Sequence, residues 1–578
     1  MIFRTGFVLG LLAGVAAYAQ PVVAAAENAA SYFTPPAPSS STPAPATPIA
    51  QGSIFVVFGT GMSAGSTLVQ ASSFPLQTTL NGTSISVTSG GQTVSALMVY
   101  TLSTQLAAIL PSTTPTGAAT LTVSYNGTSK PLNIVVTKSV PGIFTTNSQG
   151  YGPGIAQVAL SGTDIRLNNL TTPGTPDSTM ILYGTGLGPI TGSDANPPGA
   201  VDLRGSEQIS VTVGGFPATV VYAGRAPQFP GEDQINIQLP TNVPLGCYTP
   251  AVVTVNNIPS NDFVLSTGSA LGSCVNPFGL SASAEAALDA GQTVNIGAFA
   301  AIRGAVPPIT AEGAGGLFET ATAGEVFNTY KALLTAFDVI VYPAAVNTCV
   351  VYDELAGAAS GPPIPSDWSG IGSTGLQSAA YLTLSGPNGA SQNILTAGSG
   401  LPNDGYLWLN YYGSGGTGEL GPGTWTLSGP AGSDVAAFTA TTTFPANLVW
   451  TNSNTFTKTA PIGGGGVTIT WMGGGTTTSP NLFIFGSATV YNPTDPSQNR
   501  GKSFSCTAPA SSGQFLVPAS ITSQLPAPSA SGEYSEGSLG ISTGGGSQFS
   551  ATTASGQALD GSFFGFGEAF VNSGITWK

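Results

Sequence analysis

A chain of 578 residues with 26 acids, 12 bases and no histidine carries a formal charge of -14 at pH 7. That balance repels phosphate backbones and anionic headgroups, and no basic cluster offsets it locally, so nucleic acid is excluded as a partner. Only 7% of residues are charged, where roughly a quarter is usual, so the surface must consist of hydroxyls, amides and backbone; the length suffices for three or four domains.

Residues 1–19 hold one base, Arg4, then an apolar run from Thr5 to Ala17, then Ala17-Tyr18-Ala19 before Gln20. This pattern predicts a secretory signal peptide, because a membrane anchor wants about 20 apolar residues and this run is shorter and ends in small ones. No later apolar run is long enough to cross a bilayer as a helix, so no membrane span is expected after cleavage. The mature chain is expected to be secreted or held at the cell surface, where an even number of cysteines, four, can pair. Residues 20–48 end in TPPAPSSSTPAPATP and read as a Pro/Ser/Thr-rich linker near polyproline II, either a stalk or a plain tether.

Between 49 and 138 short β-rich runs (IFVVF, TSISVTS, ALMVYTL, QLAAIL, ATLTVSY, PLNIVVT) are separated by turn signals such as Asn81-Gly82 and Asn126-Gly127. Alternation of Thr120, Thr122 and Ser124 with Leu121, Val123 and Tyr125 marks a strand with one face buried and one wet. Six or so strands at this spacing suggest a small immunoglobulin-like sandwich. Residues 139–273 repeat the plan. IFVVFGTG at 54–61 returns as MILYGTG at 180–186, and QLAAILP at 105–111 returns as QINIQLP at 234–240. Matching punctuation at matching spacing is an internal repeat, so Gly59 to Gly61 should share a turn with Gly184 to Gly186, and Pro111 should match Pro240.

Within the second module, PGIF at 141–144, LYGTGLGP at 182–189, VTVGGFPATVVYAG at 211–224 and DQINIQLP at 233–240 resemble an uncharacterised module of large secreted acidobacterial proteins, akin to the IPT/TIG immunoglobulin-like domains. The resemblance implies an extracellular β-sandwich and carries no catalytic residues to transfer. The family's module usually lies near the C-terminus, whereas about 300 residues follow here.

Residues 274–445 and 446–578 are again β-rich and read as two further sandwich lobes meeting near Pro445, similar, more diffusely, to a companion region of the same proteins through SGPAGSDVAAF, LVWTN and FSCTAPASSGQFLVPASI. One helix is predicted over 323–337, where Val326, Tyr330, Leu333, Leu334 and Phe337 share a face, although alternation at its ends also permits a strand. The fold class expected is therefore all-β: tandem immunoglobulin-like sandwiches followed by further β-sandwich lobes.

Chemistry-bearing patterns are sparse. Gly61-Met62-Ser63-Ala64-Gly65 matches a nucleophile elbow, but a serine needs a base and the chain has no histidine; the repeat places Gly188 where Ser63 stands, so these glycines serve a turn. GIGSTG at 370–375 lacks the strand and helix that a dinucleotide loop requires. No spacing suits zinc, and no cofactor is expected. Glu232-Asp233, Asp353-Glu354 and the loop from Asp194 to Asp202 are oxygen donors that calcium would accept, without an EF-hand pattern; solvated surface acids are the plainer reading. A carboxylate pair gathered by folding, as in a glycosidase, stays open.

Aromatic residues concentrate late in the chain: Tyr406, Trp408, Tyr411, Tyr412, Trp425, Trp450 and Trp471. In YLWLNYY, Tyr406 and Trp408 share one strand face; they either stack on sugar rings or pack in a core, and core packing is the plainer reading. Cys247 and Cys274 flank the last strands of the second module and should pair, leaving Cys349 and Cys506 to tie the two C-terminal lobes together. The function expected is non-enzymatic: adhesion to, or binding of, extracellular polysaccharide or protein. The alternatives are a carboxylate-dependent polysaccharide hydrolase and a purely structural envelope component.

Overall fold

Strand Ile54–Thr60 lies between Val22–Asn28 and Gln105–Ile109, and its run of buried Phe55, Val56 and Val57 is what a central strand covered on both faces needs. This computed structural model describes residues 20–32, 47–306 (without 147, 149, 151, 262, 273 and 277–279), 316–323, 327–331, 346–354, 374–375, 381–396, 406–413, 418–456, 462, 465–475, 480–493, 500–528, 532–575 and 577. The expected signal peptide, residues 1–19, and most of the proline-rich stretch lie outside the described residues.

The first module is a sandwich of two sheets closed over Phe55, Val57, Ile85, Val87, Leu106, Leu121, Val123 and Ile134. The expected linker 20–48 is corrected at both ends. Val22–Asn28 pairs antiparallel with Ile54–Thr60, and Thr47–Ala50 pairs parallel with Leu132–Thr137. Small side chains without alternation hid the first strand: VVAAAEN owes its place to a backbone ladder and to Ala26 and Asn28, both buried, rather than to large side chains.

The repeat holds in register. Ile54 faces Ile109 and Phe58 faces Gln105; in the second module Thr179 faces Gln238 and Tyr183 faces Gln234, the same pairs at the same offsets. The hairpins agree too, with Ile85 opposite Val123 and Ile209 opposite Val255. Gly61 and Gly186 both have positive φ. A Cβ on Gly59 would stand 2.1 Å from the Val22 carbonyl oxygen, and one on Gly184 would stand 2.2 Å from that of Gly142, so both modules require glycine for the same close approach.

The second module buries Met180, Leu182, Val211, Ile235, Ile237, Val253 and Phe263. Helix Ala282–Asp289, which no periodicity singled out, follows it, N-capped by the Ser281 hydroxyl accepting from the Ala284 amide. Its Asp289 carboxylate accepts from the Thr171 amide at 2.8 Å and the Thr171 hydroxyl at 2.7 Å, while Asp560 accepts from the Ser281 amide and hydroxyl. One short helix thus ties the second sandwich to the C-terminal region.

There the expected boundary near Pro445 is replaced by a shared sheet. Two long strands, Tyr534–Thr552 and Ala558–Ile575, form a hairpin that serves two cores. Phe549, Leu559 and Phe563 pack with Phe299, Leu382, Leu384, Trp425 and Phe438; Leu539, Ile541 and Ala569 pack with Trp450, Ile469, Trp471, Ile484 and Phe504. Thr293–Val306 joins the hairpin in parallel, so residues some 260 apart in the chain are sheet neighbours, as in the pair Asn295 and Leu559. The helix expected over 323–337 is corrected within the described residues: Phe327–Lys331 is a strand paired with Thr293–Val306, a ladder that overrides a helical face. Cys247 is bonded to Cys274 and Cys349 to Cys506. The second bond does not bridge two lobes: Cys349 and Cys506 are cross-strand partners within one sheet.

Candidate functional site

A buried polar cluster lies where the two sandwiches meet. Arg225 ends strand Phe216–Arg225 and Asp233 begins Asp233–Gln238; the register sets them opposite each other, and both side chains are fully buried in an ion pair. The guanidinium also donates to the Gly52 carbonyl of the first module (2.8 Å) and to that of Gly188 (3.0 Å), while the Leu187 amide donates to Asp233 (2.8 Å). Beside it Asp194 accepts from the Ser112 amide and hydroxyl, the Ile190 amide donates to that hydroxyl, and the Ile54 amide donates to Thr185 Oγ1. The bonds of Arg225 to Gly52, Asp194 and Ile190 to Ser112, and Ile54 to Thr185 hold one module to the other, while Asp233 and Gly188 seat the guanidinium within the second. Burial pushes the Asp233 carboxyl up, and Arg225 with the Leu187 and Gly186 amides pulls it down.

The acids singled out as oxygen donors fall in separate places, and those whose side chains are described have other roles. Glu232 adjoins the cluster, raised to about 7 by burial and then by the Asp233 charge. Asp202 is held below its ordinary range by hydrogen bonds from Arg204. Asp353 and Glu354 lie on strand Thr348–Glu354 with side chains outside the described residues. Glu285 lies against both Cys247 and Cys274 and is raised to about 7, chiefly by burial. Those three residues have the closeness of a metal site, but the sulfurs are bonded to each other and not available as thiolates. Ser63 is buried and its hydroxyl accepts from Asn81 Nδ2, so it belongs to a turn. Of 370–375, only the strand pair Thr374–Gly375 is described.

Tyr406 and Trp408 lie on strand Tyr406–Gly413, opposite Ala323 and Ala321; their side chains lie outside the described residues. The late tryptophans are core: Trp425, Trp450 and Trp471 are buried, with indole N–H groups donating to Gly421 O, Asn452 Oδ1 and Ala510 O. Sequence reasoning missed a different aromatic group. On the face of the long hairpin and its neighbour Asn481–Tyr491 opposite to that of Leu482, Ile484, Leu539 and Ile541 stand Phe483, Phe485, Phe564 and Phe566, all half-buried. Among them the Ser542 hydroxyl donates to Glu568 at 3.4 Å, and burial raises that carboxyl to about 7. The signal was available: FIF at 483–485 and FGF at 564–566 put aromatics at i and i+2, on one strand face.

These sheets and cores define an all-β protein of tandem immunoglobulin-like sandwiches with further sandwich lobes. No family model and no curated protein matches the chain. Among solved structures it is similar to a three-immunoglobulin-domain fragment of titin at 8% identity, covering 68% of this chain and 93% of the fragment with a TM-score of 0.11. It is similar also to invasin, a bacterial integrin-binding protein, at 10% identity, covering 89% of this chain and 77% of that one with a TM-score of 0.11. A third is the BSP domain of a biofilm associated protein, at 8% identity, covering 100% and 99% with a TM-score of 0.13. At such values no function passes from those proteins to this one.

Proposed function

We propose that this is an exported protein that acts by contact, binding extracellular polysaccharide or protein, and that it is not an enzyme. The observation that supports it most is the module junction. A fully buried arginine that spans two sandwiches fixes their relative orientation, and a fixed serial display is useful for presenting surfaces at a distance and superfluous for chemistry at one centre. Two disulfides fit an oxidising compartment outside the cell. The motifs of the second sandwich are the basis for reading it as the IPT/TIG-like module of secreted acidobacterial proteins. The test is to incubate the purified protein with insoluble polysaccharides and with matrix proteins, measuring retention and release of reducing sugar together. Retention without release is expected; sugar release abolished by Glu568→Gln or any other single carboxylate substitution would replace this reading with that of a hydrolase.

A further inference from the structure

Helix Ala282–Asp289 presses an acid against a disulfide. Glu285 is fully buried, and its Oε1 lies 3.3 Å from Cys247 Sγ and 3.8 Å from Cys274 Sγ, two sulfurs that carry no proton while they are bonded to each other. The Cys274 amide donates to the carboxyl, yet Oε2 is buried with no hydrogen-bond partner among the described residues. Around it stand apolar Leu170, Leu280 and Leu288. In the oxidised state that amide is little offset for burying a carboxyl.

The arrangement matches a different partner. Zinc holds thiolate sulfur at about 2.3 Å and carboxylate oxygen at about 2.0 Å, which makes a tetrahedral O···S edge roughly 3.5 Å long and an S···S edge roughly 3.8 Å long. Glu285 Oε1 already stands near that edge length from both sulfurs. The three ligand atoms lie within 4.8 Å of one another, so only the sulfurs have to part. Tyr248 and Asn276, hydrogen-bonded to each other and both buried, lie beside Glu285. Cys274 adjoins Val275, which is 63% exposed, so a small reductant and an aqueous ion have a way in. No local spacing announces the set, since Cys274 is 27 residues from Cys247 and 11 from Glu285.

We propose that Cys247, Cys274 and Glu285 form a redox-gated site for a thiophilic divalent cation, zinc, which fills when the disulfide is reduced. A dithiol supplies two electrons and two protons: the S–S bond breaks, two thiols form, and the dithiol closes to a cyclic disulfide. Zinc then displaces the two thiol protons to water, with that of Glu285 where it holds one, and is bound by two thiolates and one carboxylate. Two thiolates select zinc over calcium and magnesium, which take oxygen ligands. The ion holds together what the disulfide held, the strand Gly246–Val255 and the segment that leads into the helix, and adds the helix itself through Glu285. Cys349 and Cys506 have no third ligand of this kind among the described residues. The site is independent of the contact function proposed above.

The test uses the full chain, reduced without oxygen by a phosphine, which delivers the same two electrons and competes weakly for metal, with zinc and cadmium as probes. The reduced chain should bind cadmium with a thiolate-to-cadmium absorption in the ultraviolet, kept in Cys349→Ser/Cys506→Ser and lost in Cys247→Ser/Cys274→Ser, and the oxidised chain should bind none. Zinc, and not calcium, should raise the melting temperature of the reduced chain. Glu285→Gln should bind zinc about tenfold or more weakly in competition with a chromophoric chelator, while Glu232→Gln, an acid at the module junction, should bind as wild type does. A reduced chain that unfolds also presents thiols, so the melting transition and the dependence on Glu285 separate a built site from loose cysteines. Zinc affinity indifferent to Glu285→Gln, binding only by a chain without a melting transition, or no binding by the reduced chain would each overturn the site. Equal stabilisation by calcium would overturn its assignment to zinc.

Discussion

Arg225 shows how one residue can decide the relation between two domains. Its guanidinium is paired with Asp233 and shared between carbonyls of both modules, with both charged side chains fully buried. Removing it leaves a buried carboxylate without its counter-charge and takes a donor from two carbonyls, so Arg225→Ala should cost about 3–5 kcal/mol in chemical denaturation, far more than Arg204→Ala, whose partner Asp202 is solvated. Titration is a second property set by individual residues. Glu232, Glu285 and Glu568 are each raised from 4.5 to about 7 by burial. For an acid whose folded pKa is raised, the folded state holds the proton more tightly, so its contribution is complete below the unfolded pKa and is lost as pH climbs to the folded one. Stability should therefore decline between about pH 4.5 and 7 and level off above, and Glu568→Gln should flatten part of that slope in denaturation measured across the range.

The repeated strand makes a paired prediction at the level of elements. Gly59 and Gly184 meet carbonyl oxygens in equivalent places, so Gly59→Ala and Gly184→Ala should each destabilise by about 1–3 kcal/mol, with Gly162→Ala, which has open space around it, close to neutral. Unequal costs in thermal melts would mean that the two turns are not the same device. The helix Ala282–Asp289 depends on the Cys247–Cys274 bond beneath it, where Glu285 and Leu288 are buried. Replacing both cysteines by serine should cost about 2–4 kcal/mol, measured by denaturation with and without reductant.

At the scale of the whole molecule, the long hairpin makes the C-terminal region one cooperative unit with two cores. A core that borrows half of each strand from its neighbour cannot unfold alone without breaking the shared ladder. Calorimetry should therefore show a single transition for the residues from 293 onward; two separable transitions would mean that the cores are independent. The two N-terminal sandwiches should likewise melt together in the wild type and separately in Arg225→Ala, because the junction couples them.

The sequence by itself determined what depends on local pattern. Alternation and turn residues fixed the β class, and repeated punctuation fixed two equivalent modules down to their strand register. The place of Cys247 and Cys274 about the last strands of the second module paired them and left Cys349 to Cys506, which lie within one sheet and do not bridge two lobes. Only the tertiary structure decided what depends on partners distant in the chain. Val22–Asn28 has no polar–apolar alternation to mark it as a strand and becomes one because Ile54–Thr60 offers it an edge. Phe327–Lys331 has a helical face and is nonetheless drawn into a ladder. Asp233 read as one acid among many until folding set it against Arg225, eight residues away. Folding sets FIF at 483–485 and FGF at 564–566 on one sheet face across a strand of small residues, and no local window contains all three. Periodicity reports which face of an element is apolar, and it is silent on which other element will lie beside it.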